Sequence, residues 1–305
     1  MSSGIKIHCP DPAIRRSVES WLEEGRIEPP LPLGIDIHLQ ALPRRPDLPP
    51  PVFRQPGVTL HLLPPDNRLL ISWETAPAVA ELSSDDRCAR VVLSPQAVEH
   101  IEESKRTFLL TVLIFLLRRV GWHHVHGGTA VDPTGRGWLF AGNSGSGKST
   151  TTALVGTRGW AVGTDDIAFL AQTGERVEAR SFRSRIGLRP GGQDLLARMG
   201  GVPLPDRGKV GYWPDELGGT WAPRVEPEIV MFTTVGDDST RAERLGPGET
   251  LAELVRWSAW VVVEPGLAEQ HLALLARLGR QSRAYRLSLG RDLFRHPDLL
   301  SELIR

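Results

Sequence analysis

The stretch FAGNSGSGKSTTTALV, residues 140–155, has three glycines within six residues, followed by a lysine and a row of hydroxyl side chains. So many glycines and small polar residues fit neither a packed strand nor the interior of a helix. Glycine lets successive backbone N–H groups turn toward one point, and such a set of amides beside a lysine is suited to hold an anion. The chemistry that this stretch predicts is phosphate binding.

Residues 142–149 read GNSGSGKS and satisfy G-x-x-x-x-G-K-[ST], the pattern of a phosphate-binding loop that follows a strand and precedes a helix. Both flanks are predicted here, a strand over 138–141 and a helix over 149–158. Lys148 would reach the β- and γ-phosphates of ATP, and Ser149 would ligate Mg²⁺. The alternative, a chance glycine turn, does not account for both flanks. The residues predicted to bind nucleotide are Gly142, Asn143, Ser144, Gly145, Ser146, Gly147, Lys148, Ser149 and Thr150.

Two adjacent carboxylates, Asp165 and Asp166, follow a predicted strand over residues 160–164. A helix of ten residues and a strand of five have nearly matching lengths, so the end of this strand should return beside the loop. One carboxylate can hold Mg²⁺, and Asp165 is our candidate. The other can take a proton from an attacking hydroxyl, and which of the two is the base stays open. The alternative is a solvated pair of acids in a turn.

A histidine is predicted at the mouth of the loop by a hairpin. If the DPTG turn places Asp132 opposite Gly137, His126 lies opposite Asn143, to within a residue or two. From there it can bond a carboxylate of the acid pair or the γ-phosphate. The neighbouring His123 and His124 remain alternatives.

These segments carry a resemblance. VHGGTAV (125–131), GNSGSGKST (142–150) and GWAVGTDDIAFL (159–170) resemble the catalytic core of the HPr kinase/phosphorylase family. The resemblance implies a P-loop α/β domain akin to phosphoenolpyruvate carboxykinase, and ATP-dependent phosphorylation of a protein serine. It assigns Lys148 and Ser149 to nucleotide and Mg²⁺, Asp165 and Asp166 to the base and a metal contact, and an assisting role to His126. It also allows a homo-oligomer.

Two positions depart from the family pattern. Thr150 follows the loop serine, where HPr kinases of this family have an acidic residue. Near the C-terminus, residues 287–294 read LSLGRDLF, where those enzymes have a P-G-R-N type of signature. The sequence therefore predicts neither HPr itself as substrate nor the reverse, phosphorolytic reaction.

The elements around the motifs divide the chain into two parts. Residues 1–93 are predicted as a small N-terminal α/β module, with a helix over 11–24, a hairpin over 58–73 and a third strand near 90–93. Prolines recur between Pro29 and Pro56, so only edge strands are expected there, around residues 35–39. At Ser94 a serine cap opens one long helical run to residue 119. Residues 94–305 are predicted as the P-loop nucleotide-binding domain, and the fold class is α/β.

Composition narrows the range of partners. Lys and Arg number 36, as do Asp and Glu, so no attraction to nucleic acid is expected. The longest apolar run, residues 107–117, is about half of the roughly 20 residues of a membrane span. Cys9 and Cys88 have no spacing that indicates a disulfide or a zinc site. With no secretory signal in the first 30 residues, a cytoplasmic protein is expected.

Other motifs in the sequence could also indicate a function or a ligand. RPGGQDLLAR (189–198) is similar to the signature of ABC-transporter ATPases, but no apolar strand ending in Asp-Glu follows it. A second strand with acids, residues 229–238, comes some eighty residues after the loop and is not favoured. Several cations could hold a phosphoryl group or an acidic substrate, although a solvated face is the simpler interpretation for most. They are Arg176, Arg180, Arg183, Arg185, Arg189 and Lys209.

The sequence thus predicts an ATP-dependent kinase that transfers the γ-phosphoryl group to a hydroxyl, with a serine of a protein or peptide as acceptor. A small-molecule alcohol is the second choice of acceptor. The alternative from another class is a nucleotide-dependent switch or assembly ATPase without phosphotransfer, since switches also need Mg²⁺ ligands.

Overall fold

The computed structural model describes residues 4–42, 48–83, 87–190, 201–204, 208–236, 238–296 and 298–304. Its chain forms two compact units. The first comprises residues 1–123 and 260–270, and the second comprises 124–259 and 271–305. The predicted division into residues 1–93 and 94–305 stays a prediction about how the chain is organised. Each unit is a mixture of helices and sheets, so the α/β class is observed.

The first unit is built on a seven-stranded sheet with the order β1-β2-β7-β6-β5-β4-β3. The strands are β1 (Ile5–His8), β2 (Leu33–Leu39), β3 (Phe53–Gln55), β4 (Val58–Leu63), β5 (Arg68–Trp73), β6 (Ala78–Leu82) and β7 (Cys88–Leu93). The predicted hairpin is confirmed, because β4 and β5 pair antiparallel from Val58↔Trp73 to Leu63↔Arg68. The expectation of only edge strands between Pro29 and Pro56 was wrong. β2 pairs with β1 on one side and β7 on the other, since no proline falls between its ends.

The helices of this unit are α1 (Pro12–Gly25), α2 (Pro95–Glu99), α3 (Ile101–Arg106) and α4 (Phe108–Arg118). The predicted first helix is confirmed, and the Asp11 carboxylate caps it by accepting from the N–H groups of Ala13 and Ile14. The single run expected from Ser94 is instead three helices, interrupted at Thr107 and at His100, whose φ of −104° and ψ of 29° are not helical. Ser94 is nevertheless a cap, and its hydroxyl accepts from Ala97.

A buried ion cluster lies within the first unit. The guanidinium of Arg119 bonds Glu264 at 2.8 Å, and the side chains of Arg118 and Arg119 are 0% and 1% exposed. Arg118 also donates to the carbonyl of Trp260. Desolvation lowers the pKa of Arg118 to about 10, although the charge of Glu264 opposes the shift. Glu264 is therefore the acidic partner of two buried cations.

The second unit holds the predicted site on a nine-stranded sheet with the order β16-β12-β11-β8-β9-β17-β19-β18, in which β10 also pairs with β8. Its strands are β8 (His123–Val131), β9 (Gly137–Ala141), β10 (Ala161–Thr164), β11 (Ile167–Thr173), β12 (Arg176–Ser181), β16 (Arg224–Val225), β17 (Pro227–Val235), β18 (Arg241–Arg244) and β19 (Arg283–Leu289). A separate sheet has the order β13-β15-β14, from β13 (Ile186–Leu188), β14 (Val202–Pro203) and β15 (Val210–Tyr212). The helices are α5 (Lys148–Gly156), α6 (Pro247–Arg256), α7 (Pro265–Gln281), α8 (Asp292–Arg295) and α9 (Leu299–Glu302).

The path from β9 through α5 to β10 brings the loop and the acid pair to one edge of the sheet. β8 is antiparallel to both β9 and β10, so the two strands run in the same direction with β8 between them. The connection from β9 through α5 to β10 therefore crosses β8, because β8, joined to β9 by the short hairpin, already occupies the place beside β9. Gly128 allows α5 to lie close to β8, since a Cβ there would come 2.5 Å from the Thr152 hydroxyl.

Among the residues that the structure describes, no helix has the length and apolar character needed to cross a membrane.

Candidate functional site

The glycine-rich loop connects β9 to α5. Gly145 and Gly147 have φ values of 83° and 93°, a region that favours glycine. A Cβ at Gly147 would come 2.4 Å from Cδ1 of Leu289, so this position has no room for a side chain. The Lys148 ammonium donates to the carbonyls of Gly142 and Asn143 at 2.7 and 2.9 Å, which curls the loop around the lysine.

Lys148 is buried, with 5% of its surface exposed. Desolvation lowers the pKa of its ammonium, and the negative charges of Asp166 and Asp165 oppose the shift. The lysine and the acid pair therefore lie close enough to interact, as the sequence predicted. Helix α5 begins at Lys148, so its first N–H groups open toward the loop.

Asp165 follows β10 directly and is 6% exposed. Desolvation and the repulsion of Asp166 raise the pKa of Asp165 to about 6, while hydrogen bonds from the Ser149 hydroxyl and the Gly187 backbone N–H oppose the rise. The contact with Ser149 joins the first turn of α5 to the acid pair. The assignment of Ser149 and Asp165 as magnesium ligands stays a prediction.

Asp166 has a different environment from its neighbour. Its side chain is 55% exposed, and its Oδ1 lies 2.7 Å from Nδ1 of His126. Desolvation would raise the pKa of Asp166, but the hydrogen bond and the positive charge of His126 outweigh it and lower the pKa to about 2. The pKa values of the two carboxylates are therefore shifted in opposite directions. Asp165 is held toward its neutral form, and Asp166 is held ionised.

The hairpin that carries His126 has a register one residue from the prediction. The observed ladder pairs Gly127 with Ala141 and Val131 with Gly137, so continuing it places His126 opposite Gly142 instead of Asn143. The carbonyl of Asp166 accepts from Gly127 N–H at 3.2 Å, which fixes the acid pair beside this strand. The prediction that His126 reaches a carboxylate of the acid pair is met by the observed contact. Its role in proton transfer stays a prediction.

The two competing histidines are buried. Desolvation lowers the pKa of His123 to about 4, and that of His124 to about 3, so both are neutral at pH 7. His124 meets Phe169 edge to face, with ring centroids 6.0 Å apart. Neither has the exposed contact with the acid pair that His126 makes.

Thr233, on the strand beside the loop, was not predicted as part of the site. β17 is parallel to β9, and the Thr233 hydroxyl lies 2.9 Å from that of Ser146. The sequence signal for it is the strand over residues 229–235, which precedes the acids Asp237 and Asp238. Asp237, one of those acids, lies outside the described residues, as do residues 191–198 of the segment similar to the ABC signature.

Several of the clustered arginines have structural partners. Arg183 and Arg185 stack over Trp213 at 4.2 and 4.6 Å and pair with Asp215 and Glu216. Arg176 pairs with Glu226, and Arg180 with Glu178. These four arginines have structural partners, but Arg180 and Arg183, with side chains 18% and 12% exposed, do not form the solvated face that the sequence favoured. Arg189 and Lys209 are left as cations of the site region.

The donor set suits a magnesium nucleotide. The described residues contain no cluster of three or more His, Cys, Asp or Glu side chains that could hold a metal by itself. Mg²⁺ usually takes one or two protein oxygens and completes its shell with water and substrate phosphates. The Ser149 hydroxyl and the Asp165 carboxylate are such oxygens, beside a loop that has no room for a side chain at Gly147.

No protein-family model matches this chain, and no curated protein matches it. Among solved structures, it is similar to the HPr(Ser) kinase/phosphatase from Coxiella burnetii, with 13% sequence identity and a TM-score of 0.33. The similarity covers 60% of this chain and 94% of that chain. A likeness at this level adds nothing to what the site itself supports.

Proposed function

We propose that this protein is an ATP-dependent phosphotransferase that transfers the γ-phosphoryl group to a hydroxyl, with a serine of a protein or peptide as the acceptor. The observation that carries the proposal is the position of the acid pair beside the glycine-rich loop: the Asp166 carbonyl accepts from the N–H of Gly127, which pairs with Ala141, the last residue of β9 before the loop. A phosphate-binding loop alone serves many functions, whereas an acid pair at its edge supplies both a metal ligand and a base.

Nucleotide binding is assigned to residues 142–150. Their amides and the Lys148 ammonium would surround the β- and γ-phosphates, taking Lys148 from its present carbonyl partners. Ser149 and Asp165 would hold Mg²⁺, which when bound neutralises part of the phosphate charge. Holding a metal also favours the ionised form of Asp165, against the desolvation that raises its pKa.

Proton transfer is assigned to Asp166 and His126. Asp166 is ionised and exposed, so it can accept the proton of an acceptor hydroxyl as the new O–P bond forms and the bond to the ADP oxygen breaks. A weak base suffices, because the hydroxyl proton leaves late when the transition state is loose. His126 orients the carboxylate through its 2.7 Å contact.

The acceptor is proposed from the resemblance in residues 125–170 and from exposure. Asp166 is 55% exposed, so a serine on a large partner can approach it. A small-molecule alcohol could also reach this carboxylate. The experiment below distinguishes it from a protein acceptor.

Transfer of label from γ-labelled ATP with Mg²⁺ into a size-fractionated extract of the source cells tests the proposal. The wild-type protein is compared with Lys148→Ala and Asp166→Asn, and with Lys6→Ala, an exposed lysine of the first unit, as the control. Label in a protein or peptide with the wild type and Lys6→Ala alone would support the proposal. Label in a small molecule would mean that the acceptor is a small-molecule alcohol and not a serine of a protein or peptide. Binding of ATP that depends on Lys148, without any labelled product, would favour the nucleotide-dependent switch.

A further inference from the structure

Two cations lie at facing positions at one end of the three-stranded sheet. β13 and β15 pair antiparallel through Ile186↔Tyr212, Gly187↔Gly211 and Leu188↔Val210. The next pair in this register is Arg189 with Lys209. Facing residues of an antiparallel ladder point to the same side, so Arg189 and Lys209 share a face with Gly187 and Gly211.

Contacts at both cations indicate that this face lies beside the site. The Lys209 side chain lies on Gly187, where a Cβ would come 3.1 Å from its Cδ and 3.8 Å from its Nζ. The N–H of the same Gly187 donates to Asp165. On the other strand, Nη1 of Arg189 lies 3.8 Å from where a Cβ of Gly145 would be, in the glycine-rich loop.

The two side chains are available for a ligand. Within the described part of the chain, neither Arg189 nor Lys209 forms an ion pair, whereas the nearby Arg183 and Arg185 are paired and stacked on Trp213. The charge of Lys209 acts on both Asp165 and Lys148, which places it in the same electrostatic neighbourhood as the loop. A backbone hydrogen bond holds Lys209 beside the end of β14, since the N–H of Leu204 donates to the Lys209 carbonyl at 2.8 Å.

We propose that Arg189 and Lys209 form a cation pair that binds the terminal phosphate of the nucleotide. The inference rests on the proposed function, since it assigns further ligands to the same nucleotide. Loop amides hold the inner phosphates, and these two cations add charge where a third phosphate would carry it. The pair thereby distinguishes a nucleoside triphosphate from a diphosphate.

The test is the affinity for ATP and for ADP, each with Mg²⁺, measured by calorimetry on the full chain. Arg189→Gln and Lys209→Gln are each expected to weaken ATP by about tenfold or more and to change ADP by less than about threefold. Lys209→Arg should retain most of the preference for ATP. Arg176→Gln, an exposed arginine on β12, and Lys6→Gln are the matched controls and should bind as the wild type does.

Equal losses for ATP and ADP, or no loss in either glutamine variant, would overturn the assignment. Failure of the proposed function appears differently. In that case the wild type binds no nucleotide, binds it without any dependence on Lys148, or binds it through Lys148 and yields no labelled product. Circular dichroism of each variant shows whether its fold is retained before the affinities are compared.

Discussion

Nδ1 of His126 and Oδ1 of Asp166 lie 2.7 Å apart, although 40 residues of chain separate them. His126 stands near the start of β8, and Asp166 follows the end of β10, which pairs antiparallel with β8. The antiparallel arrangement brings the start of one strand to the end of the other. The pair is therefore a product of sheet topology and is the part of the site most open to mutational analysis.

His126→Asn and Asp166→Asn are each expected to lower kcat for phosphate transfer by about 10²–10⁴, the range for loss of a proton-transfer group. Because the two groups act through one hydrogen bond, the double variant should lose little more than Asp166→Asn alone. The measurement is a double-mutant cycle in kcat at saturating ATP. Strictly multiplicative losses would mean that His126 acts independently of Asp166.

Ser149→Ala should weaken the effect of magnesium on nucleotide affinity while leaving metal-free binding by the loop, because Asp165 remains as a ligand. In the wild type we expect ATP to bind more tightly with Mg²⁺ than with a chelator, since Ser149 and Asp165 offer oxygen ligands. Titration of ATP under both conditions measures the difference. Thr157→Ala, which removes a hydroxyl that bonds the Leu154 carbonyl at the far end of α5, is the control. A magnesium effect as large in Ser149→Ala as in the wild type would contradict the assignment.

Asp165→Asn is expected to raise stability at neutral pH. The folded pKa of Asp165 is raised from 3.8 to about 6, so its contribution to stability is fully present below 3.8 and is lost as pH rises through 6. The loss approaches about 3 kcal/mol at pH 8, and an asparagine does not undergo it. Without nucleotide, the variant should therefore unfold at a higher temperature than the wild type at pH 8. At pH 4 the two should be close, and a difference of equal size at both pH values would refute the interpretation.

Glu264→Gln should destabilise the first unit by about 3–5 kcal/mol, because it leaves the charges of Arg118 and Arg119 buried without a carboxylate. The readout is the thermal unfolding midpoint. Glu243→Gln removes a carboxylate that is 71% exposed and paired with Arg286, and it should shift the midpoint very little. Similar shifts of the midpoint for the two variants would show that the buried cluster contributes no more to stability than the exposed ion pair.

Gly163→Ala should destabilise the second unit by about 1–3 kcal/mol or prevent it from folding. A Cβ at Gly163, inside β10, would come 2.1 Å from the Ser181 hydroxyl and 2.2 Å from that of Thr129. Gly248→Ala is the control, since this glycine in α6 has nothing within 4 Å and alanine favours helix. We expect the control to be neutral or stabilising in thermal unfolding, and a tolerated alanine at Gly163 would contradict the geometry.

Local patterns predicted the elements around the site well. The glycine pattern, the strand before it and the acids after the next strand all lie where the sequence indicated, because each depends on a few neighbouring residues. The turn of the hairpin predicted His126 to within one residue, since register is set by the turn.

Features that depend on distant parts of the chain were not predicted. The placement of β8 between β9 and β10 is a choice of pairing that no local pattern specifies. The same holds for Thr233, about 90 residues after the loop. The register that faces Arg189 with Lys209 depends on two short strands, and their residues do not show which strands will pair. The interruption of the helical run at Thr107 also escaped, because the apolar spacing continues across it.

The turn at Asp132 lies at the far end of the hairpin from His126, yet it determines which loop residue lies opposite that histidine. Its carboxylate accepts from the backbone and side chains of Thr134 and Arg136 and from the indole of Trp138, so the turn has one length and one shape. Because β8 is also paired with β10, adding or removing one residue in this turn would shift β9 and the loop after it by one position along β8. The length of the turn therefore decides which residue of the loop lies opposite the imidazole at the other end of the ladder.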